Sequence, residues 1–265
     1  MRDKKIALVG ATGNVGRKIL ELLIERKSVD PAHLKMFASK QSVGKHVAYQ
    51  RYKYVVSDLS KYDFNDCEIA LFATDSEVSK QYIPTALKGG AKVVDSSSLY
   101  RLDPNVPLIV PPVNSELISE GTHLYAVANC LACPISVVLK PLHDLAKAKR
   151  VVASTYQSAS GAGKGPMDEL YSHTKAVYQN EKLKSNFFPR SLAFNVIPQV
   201  DKILDDGFTY EEFKIINEIN KVLGTVGFSC CRNTCVSSKR FCNISFSGSS
   251  VFANNRLLRV YSCPQ

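Results

Sequence analysis

The 265-residue sequence has no stretch of about 18 consecutive apolar residues, so no membrane-spanning helix is expected. Its start, MRDKKIALVGATG, has no secretory pattern and enters a strand at once, so a cytoplasmic protein is the default. No histidine follows His173; the five are His33, His46, His123, His143 and His173. No acidic residue occurs in residues 225–265, although Arg232, Lys239, Arg240, Arg256 and Arg259 do. The net charge of +10 therefore divides equally between that stretch and all that precedes it. A mildly basic body suits anionic small-molecule ligands. Without an aromatic and basic motif, nucleic acid is not expected as a partner. The eight cysteines read as free thiols and not as a disulfide framework, and five of them fall after residue 229.

What is present is an alternation of strands and helices. Residues 5–10, KIALVG, form an apolar run suited to a buried parallel strand, and a helical pattern, RKILELLIERK, follows the loop ATGNVG. Gly10, Gly13 and Gly16 give the spacing GxxGxxG, a partial match to the dinucleotide fingerprint. Such glycines let backbone approach a pyrophosphate at a helix N-terminus, and an ordinary tight turn is the alternative. The next strand, residues 33–38, is followed by Ser39-Lys40-Gln41-Ser42-Val43-Gly44-Lys45. That segment has hydroxyls and lysines but no carboxylate, which suits the 2′-phosphate of NADP better than the bare ribose of NAD. The alternative for Lys40 is a solvated loop lysine. Residues 67–74 read as a buried strand, Asp75 and Ser76 cap a helix to residue 87, Gly89-Gly90 ends it, and residues 92–95 return to strand. The pattern predicts an α/β fold with a Rossmann-like, doubly wound parallel sheet and Cys67 in its core.

A loop rich in proline and hydroxyls follows, DSSSLYRLDPNVPLIVPPVN at residues 95–114. Its Arg101 offers bidentate contact to carboxylate or phosphate, or else pairs with Asp103 at the surface. Residues 124–128 then read as a short buried strand ending at Asn129-Cys130, with a helix over residues 131–147. A cysteine at a strand-to-helix junction sits where the helix dipole favours the thiolate, which is the nucleophilic form. Cys130 and Cys133 also make a CxxC, which redox chemistry or half a zinc site would use. No second CxxC or His-x-x-His accompanies it, and Pro134 fits a first helical turn, so Cys133 is read as structural and no metal is expected. Residues 149–157 read as a strand leading into a second glycine-rich loop, SASGAGK, at 158–164, with a helix at 168–177. Residues 186–198 are irregular and aromatic. Residues 210–223 form an amphipathic helix with Phe213, Ile216, Ile219 and Val222 or Leu223 on one face. Glu218 and Lys221 are i, i+3 neighbours on it, and a surface pair is one reading.

Taken together, GATGNVGR at 10–17, the 95–114 loop, Asn129-Cys130, KPLHDL at 140–145, STYQSASGAGK at 154–164, FPRSLAFNVIPQVD at 188–201 and EEFKIINEINKVLG at 211–224 resemble aspartate-semialdehyde dehydrogenase. The resemblance runs from about residue 4 to 224. It implies NADP-dependent reductive dephosphorylation of L-aspartyl 4-phosphate to aspartate semialdehyde, in the biosynthesis of lysine, threonine, methionine and isoleucine. It implies an NADP-binding domain over 1–128 and, from 129 to 224, part of an α+β catalytic and dimerisation domain, with a homodimer as the family's assembly. Cys130 would form an acyl-thioester and Gln157 would orient the substrate. Arg101 and Lys221 would hold phosphate or carboxylate, Glu218 would meet the substrate amine, and Asn114 would belong to the same substrate site. Gly10, Thr12, Gly13, Asn14, Val15, Gly16 and Thr74 would line the nucleotide, Ser39 and Lys40 its adenosine end, and Ser160 and Gly161 the nicotinamide. The segment departs from the family's usual NPNC to VANC, and positions 96 and 112 hold serine and proline. A related acyl-phosphate reductase, such as N-acetyl-glutamyl-phosphate reductase, is the alternative within the chemistry. A catalytically dead NADP-binding fragment is the alternative outside it.

In the family a strand and a base histidine in a GHS-like segment follow the Glu/Lys helix. Residues 225–265 carry neither motif, and their lack of acids with abundant Ser and Cys marks a break in composition. They read as an out-of-frame tail, or as a divergent C-terminus. Either way the expectation is a truncated chain with little activity, poor solubility and a doubtful dimer.

Overall fold

The computed structural model describes residues 2–148, 150–225, 233–237, 245–253 and 256–260. The chain divides into two compact units, Met1–Asn129 and Cys130–Gln265.

The first unit is built on an eight-stranded sheet. Its elements are β1 (Ile6–Val9), α1 (Asn14–Glu25), β2 (Leu34–Ala38), β3 (His46–Tyr49), β4 (Tyr52–Asp58), β5 (Ile69–Phe72), α2 (Ser76–Lys88), β6 (Lys92–Asp95), β7 (Leu108–Ile109), α3 (Pro111–Asn114) and β8 (Leu124–Val127). The sheet order is β3-β4-β2-β1-β5-β6-β8-β7, parallel throughout except for the β3–β4 hairpin. All four residues of β1 are buried because both faces of the sheet are covered. Ile6 and Leu8 pack with Leu20 and Ile24 of α1, while Ala7 and Val9 pack with Ile83 and Ala86 of α2. Successive side chains of one strand thus enter two separate cores, and the doubly wound α/β architecture expected from the sequence is present. Cys67 is 5% exposed within the α2-side core, as read from its apolar surroundings.

The second unit holds α4 (Ala132–Ala146), β9 (Arg150–Ser158), α5 (Lys164–Tyr178), β10 (Val196–Ile197), α6 (Tyr210–Leu223), β11 (Asn233–Ser237), β12 (Ser245–Ala253) and β13 (Arg256–Val260). Its sheet runs β10-β11-β9-β12-β13, with β9 central, parallel to β11 and antiparallel to β12. Helix α5 starts at Lys164, four residues before the expected start. Two residues on its inner face tie down the irregular aromatic segment. Glu169 Oε2 accepts from the N–H groups of Asn186 (2.8 Å) and Phe187 (3.1 Å), while His173 contacts Ser191 Oγ (3.0 Å) and the Lys184 carbonyl (3.3 Å).

Helix α6 begins in a capping box, with Thr209 Oγ1 accepting from Glu212 N and the Glu212 carboxylate accepting from Thr209 N. It ends at Gly224 in the left-handed conformation (φ 64°). Its buried face keeps Ile219 and Val222 of the expected one and leaves Phe213 out. Ile215, Ile219 and Val222 point inward with Glu211, Glu212 and Glu218, whereas Phe213 is 40% exposed and stacks on Tyr210 at 6.0 Å. Counting apolar positions alone could not see that three of the inward residues would be carboxylates.

Candidate functional site

In the first unit the predicted nucleotide residues gather at the carboxyl ends of the parallel strands. The strand order changes direction between β1 and β5, which is where open α/β sheets bind ligands. Gly10 leaves β1 with φ +86°, and a Cβ there would overlap the Ala73 carbonyl and touch Thr74. A Cβ at Gly16 would overlap the Gly10 carbonyl, so this glycine lets α1 close onto the strand. Gly13 is the N-cap of α1, no side chain caps that helix end, and no acid lies in its first turn. Gly13, Asn14 and Val15 are exposed there, and Thr12 is half-buried, its carbonyl accepting from Arg17 Nε at 3.1 Å. This is the chemistry a pyrophosphate needs: a bare helix N-terminus reached over glycine backbone. Ser39 and Lys40 follow β2 and are exposed. The fold also brings Asp58 opposite Ala38 at the end of β4, a carboxylate that the local sequence did not reveal. Its pKa is lowered chiefly by the Ser60 hydroxyl and backbone N–H it accepts from.

The loops after β5 and β6 are stitched by hydroxyls. Asp95, wholly buried at the end of β6, accepts from Ser79 Oγ (2.8 Å), Ser97 N (3.0 Å) and Ser97 Oγ (2.6 Å). Arg101 is half-buried, and its Nη2 donates to the Ser96 carbonyl at 2.6 Å. Asn114 is 3% exposed; its Nδ2 donates to the Leu108 carbonyl (2.9 Å) and its Oδ1 accepts from Val110 N (2.8 Å). This amide braces the turn from β7 into α3.

In the second unit Cys130 is exposed and lies two residues ahead of α4. Cys133 is partly buried, and burial pushes its thiol pKa up, which suits a structural thiol. Neither is in a disulfide, and no group of three metal-ligating side chains occurs among the described residues. Gln157, 7% exposed near the end of β9, is brought against Gly161 in the following turn. A Cβ on Gly161 would overlap the Gln157 side-chain amide. Ser160, half-buried in the same turn, pairs with Ser158 at 2.7 Å. Helix α6 packs beside α4 and carries Glu218 and Lys221. Glu218 is 1% exposed, which excludes a surface pair, and Lys221 is half-buried. Arg101 and Asn114 belong to the first unit, and Cys130, Gln157, Glu218 and Lys221 to the second.

Known proteins share this organisation. Residues 5–121 match the family model for the semialdehyde dehydrogenase NAD binding domain, and residues 139–237 that for the semialdehyde dehydrogenase dimerisation domain. Aspartate-semialdehyde dehydrogenase of Rickettsia bellii is 44% identical over 221 residues, which cover 83% of this chain and 65% of that protein. The chain thus spans just under two thirds of that relative's length. The enzyme of Vibrio mimicus is 37% identical over 220 residues, 82% of this chain and 69% of its own. The crystal structure of aspartate semialdehyde dehydrogenase II from Vibrio cholerae complexed with ASA superposes with a TM-score of 0.90 at 33% identity, covering 96% of this chain and 75% of that one. Matches in order to the two domain models, with relatives 33–37% identical that this chain covers to more than two thirds, place the chain in the aspartate-semialdehyde dehydrogenase family.

Proposed function

We propose that this protein's site is built for reductive dephosphorylation of L-aspartyl 4-phosphate to aspartate semialdehyde, with NADP as the cofactor. The observation that carries the reading is the exposed Cys130 thiol at the entry to α4. In this reading the Cys130 thiolate attacks the acyl carbon, a C–S bond forms, the C–O bond to phosphate breaks, and phosphate leaves with the electron pair. Arg101 and Lys221 hold the departing phosphate, Gln157 orients the acyl group, and Glu218 meets the substrate amine. Gly10, Thr12, Gly13, Asn14, Val15 and Gly16 would hold the dinucleotide's pyrophosphate, Thr74 would border it, Ser39 and Lys40 would receive a 2′-phosphate, and Ser160 and Gly161 would flank the nicotinamide. When bound, the reduced cofactor supplies hydride to the thioester carbon, and Cys130 departs as thiolate. The second unit is read as forming a homodimer through its exposed aromatic residues.

The 265 residues supply no histidine after His173, so no imidazole follows α6 to exchange the proton with Cys130. Such a base contributes ~10²–10⁴-fold, and turnover by this chain is expected to be low by about that factor. The test is NADP reduction by the purified chain with aspartate semialdehyde and phosphate, with and without added imidazole. The expected result is a low rate, raised by imidazole and abolished in Cys130→Ala. A rate equal to that of the Vibrio mimicus enzyme without imidazole would refute the impairment. No turnover at any imidazole concentration, with no acyl adduct on Cys130 by mass spectrometry, would refute the dehydrogenase reading.

A further inference from the structure

We infer that Asp95 is a positioning residue that sets two ligand contacts at once, one through Ser79 and one through Ser97. The inference rests on reading the first unit as a nucleotide site with Arg101 as its anion contact. A fully buried carboxylate is costly unless it is hydrogen-bonded, and Asp95 accepts from two segments, Oδ1 from Ser79 Oγ of α2 and from Ser97 N, and Oδ2 from Ser97 Oγ of the loop after β6. Oδ1 accepts from Ser79 Oγ on α2, and the Ser79 hydroxyl lies 3.3 Å from Thr74 Oγ1. Thr74 in turn borders Gly10. This arm ends at the nucleotide loop.

The other arm runs along the chain. Oδ2 accepts from Ser97 Oγ, and Ser97 Oγ accepts from Leu99 N at 3.2 Å, which folds the turn that carries Arg101. Arg101 closes that turn by donating to the Ser96 carbonyl, and Ser96 is anchored to Phe72 O through both its N–H (3.0 Å) and its Oγ (2.8 Å). Ser76 and Ser98 add a lateral hydroxyl contact at 3.1 Å between α2 and the loop after β6. Every link lies within one unit. Asp95 reaches no ligand itself; it fixes the spacing of a nucleotide-side threonine and an anion-side arginine.

The two arms predict a split that a general packing role would not produce. On the purified 265-residue protein, NADPH affinity is measured by fluorescence titration and inorganic phosphate affinity by calorimetry. Ser79→Ala is expected to weaken NADPH about threefold to tenfold and leave phosphate unchanged. Ser97→Ala is expected to weaken phosphate by a similar factor and leave NADPH unchanged. Asp95→Ala is expected to weaken both, and the two serine variants keep the inference testable if that chain does not fold. Equal effects of Ser79→Ala and Ser97→Ala on both ligands, or no effect of either, would overturn it. Failure of the unaltered chain to bind NADPH and phosphate would instead remove the nucleotide reading beneath it, and the inference with it.

Discussion

At the scale of single residues, thiol reactivity separates by burial. Cys67, Cys133 and Cys235 all have pKa values raised, in each case mainly by burial, whereas Cys130 is exposed. At pH 8 the first three hold less thiolate than a free cysteine does, so iodoacetamide is expected to modify Cys130 first among these four. Peptide mass spectrometry over a time course reads the order, and prior labelling of Cys133 would contradict it. Gly161 makes a second case. Its missing side chain is the space the Gln157 amide occupies. Gly161→Ala is therefore expected to displace that amide by a fraction of an ångström to an ångström and to cut imidazole-supported turnover by up to about a hundredfold. Thermal unfolding should stay near that of the unaltered chain. Full turnover in the variant would show that Gln157 tolerates the shift. Asn114 holds its own loop as well, its amide bonded to the Leu108 carbonyl and to Val110 N.

At the scale of elements, what the sequence disclosed depended on how local the signal was. β1 and the Gly10–Gly16 turn were legible because an apolar run, glycine spacing and a helical period coincide within twenty residues. The β3–β4 hairpin was not. Its strands are half-exposed, and its two-residue connection is Gln50-Arg51, with Gln50 at φ +52°, where hairpins ordinarily use Asn or Gly. The start of α5 was hidden by Gly165 and Pro166, residues that elsewhere mark loops. The buried face of α6 was legible in part: Ile219 and Val222 are buried as expected, whereas Phe213 is not, and Glu211, Glu212 and Glu218 turn inward, which hydrophobicity does not reveal. The site followed the same rule. Cys130 and the glycine loops stood out from their neighbours and Gln157 was reached only through the family resemblance, while Asp95 gained meaning only when folding closed three hydroxyl and amide contacts on it.

At the scale of the whole molecule, the second unit leaves aromatic surface uncovered. Tyr178 is 77% exposed and Phe194 64%, and the two rings meet edge to face at 5.8 Å. In a unit matched to a dimerisation domain this surface is read as subunit contact. Sedimentation velocity is expected to show a dimer that Phe194→Asp shifts to monomer; a monomer at all concentrations in the unaltered chain would refute that reading. The central strand of this unit has a further consequence. β9 carries Gln157, yet both its neighbours, β11 and β12, come from residues 233 and beyond. During synthesis β9 must therefore emerge with two open edges and wait for residues 233–253 to fill them. Such late, non-local pairing is slow and prone to capture by other chains. The fold thus makes the yield of native protein, as well as its chemistry, depend on the timing of strands made long after β9.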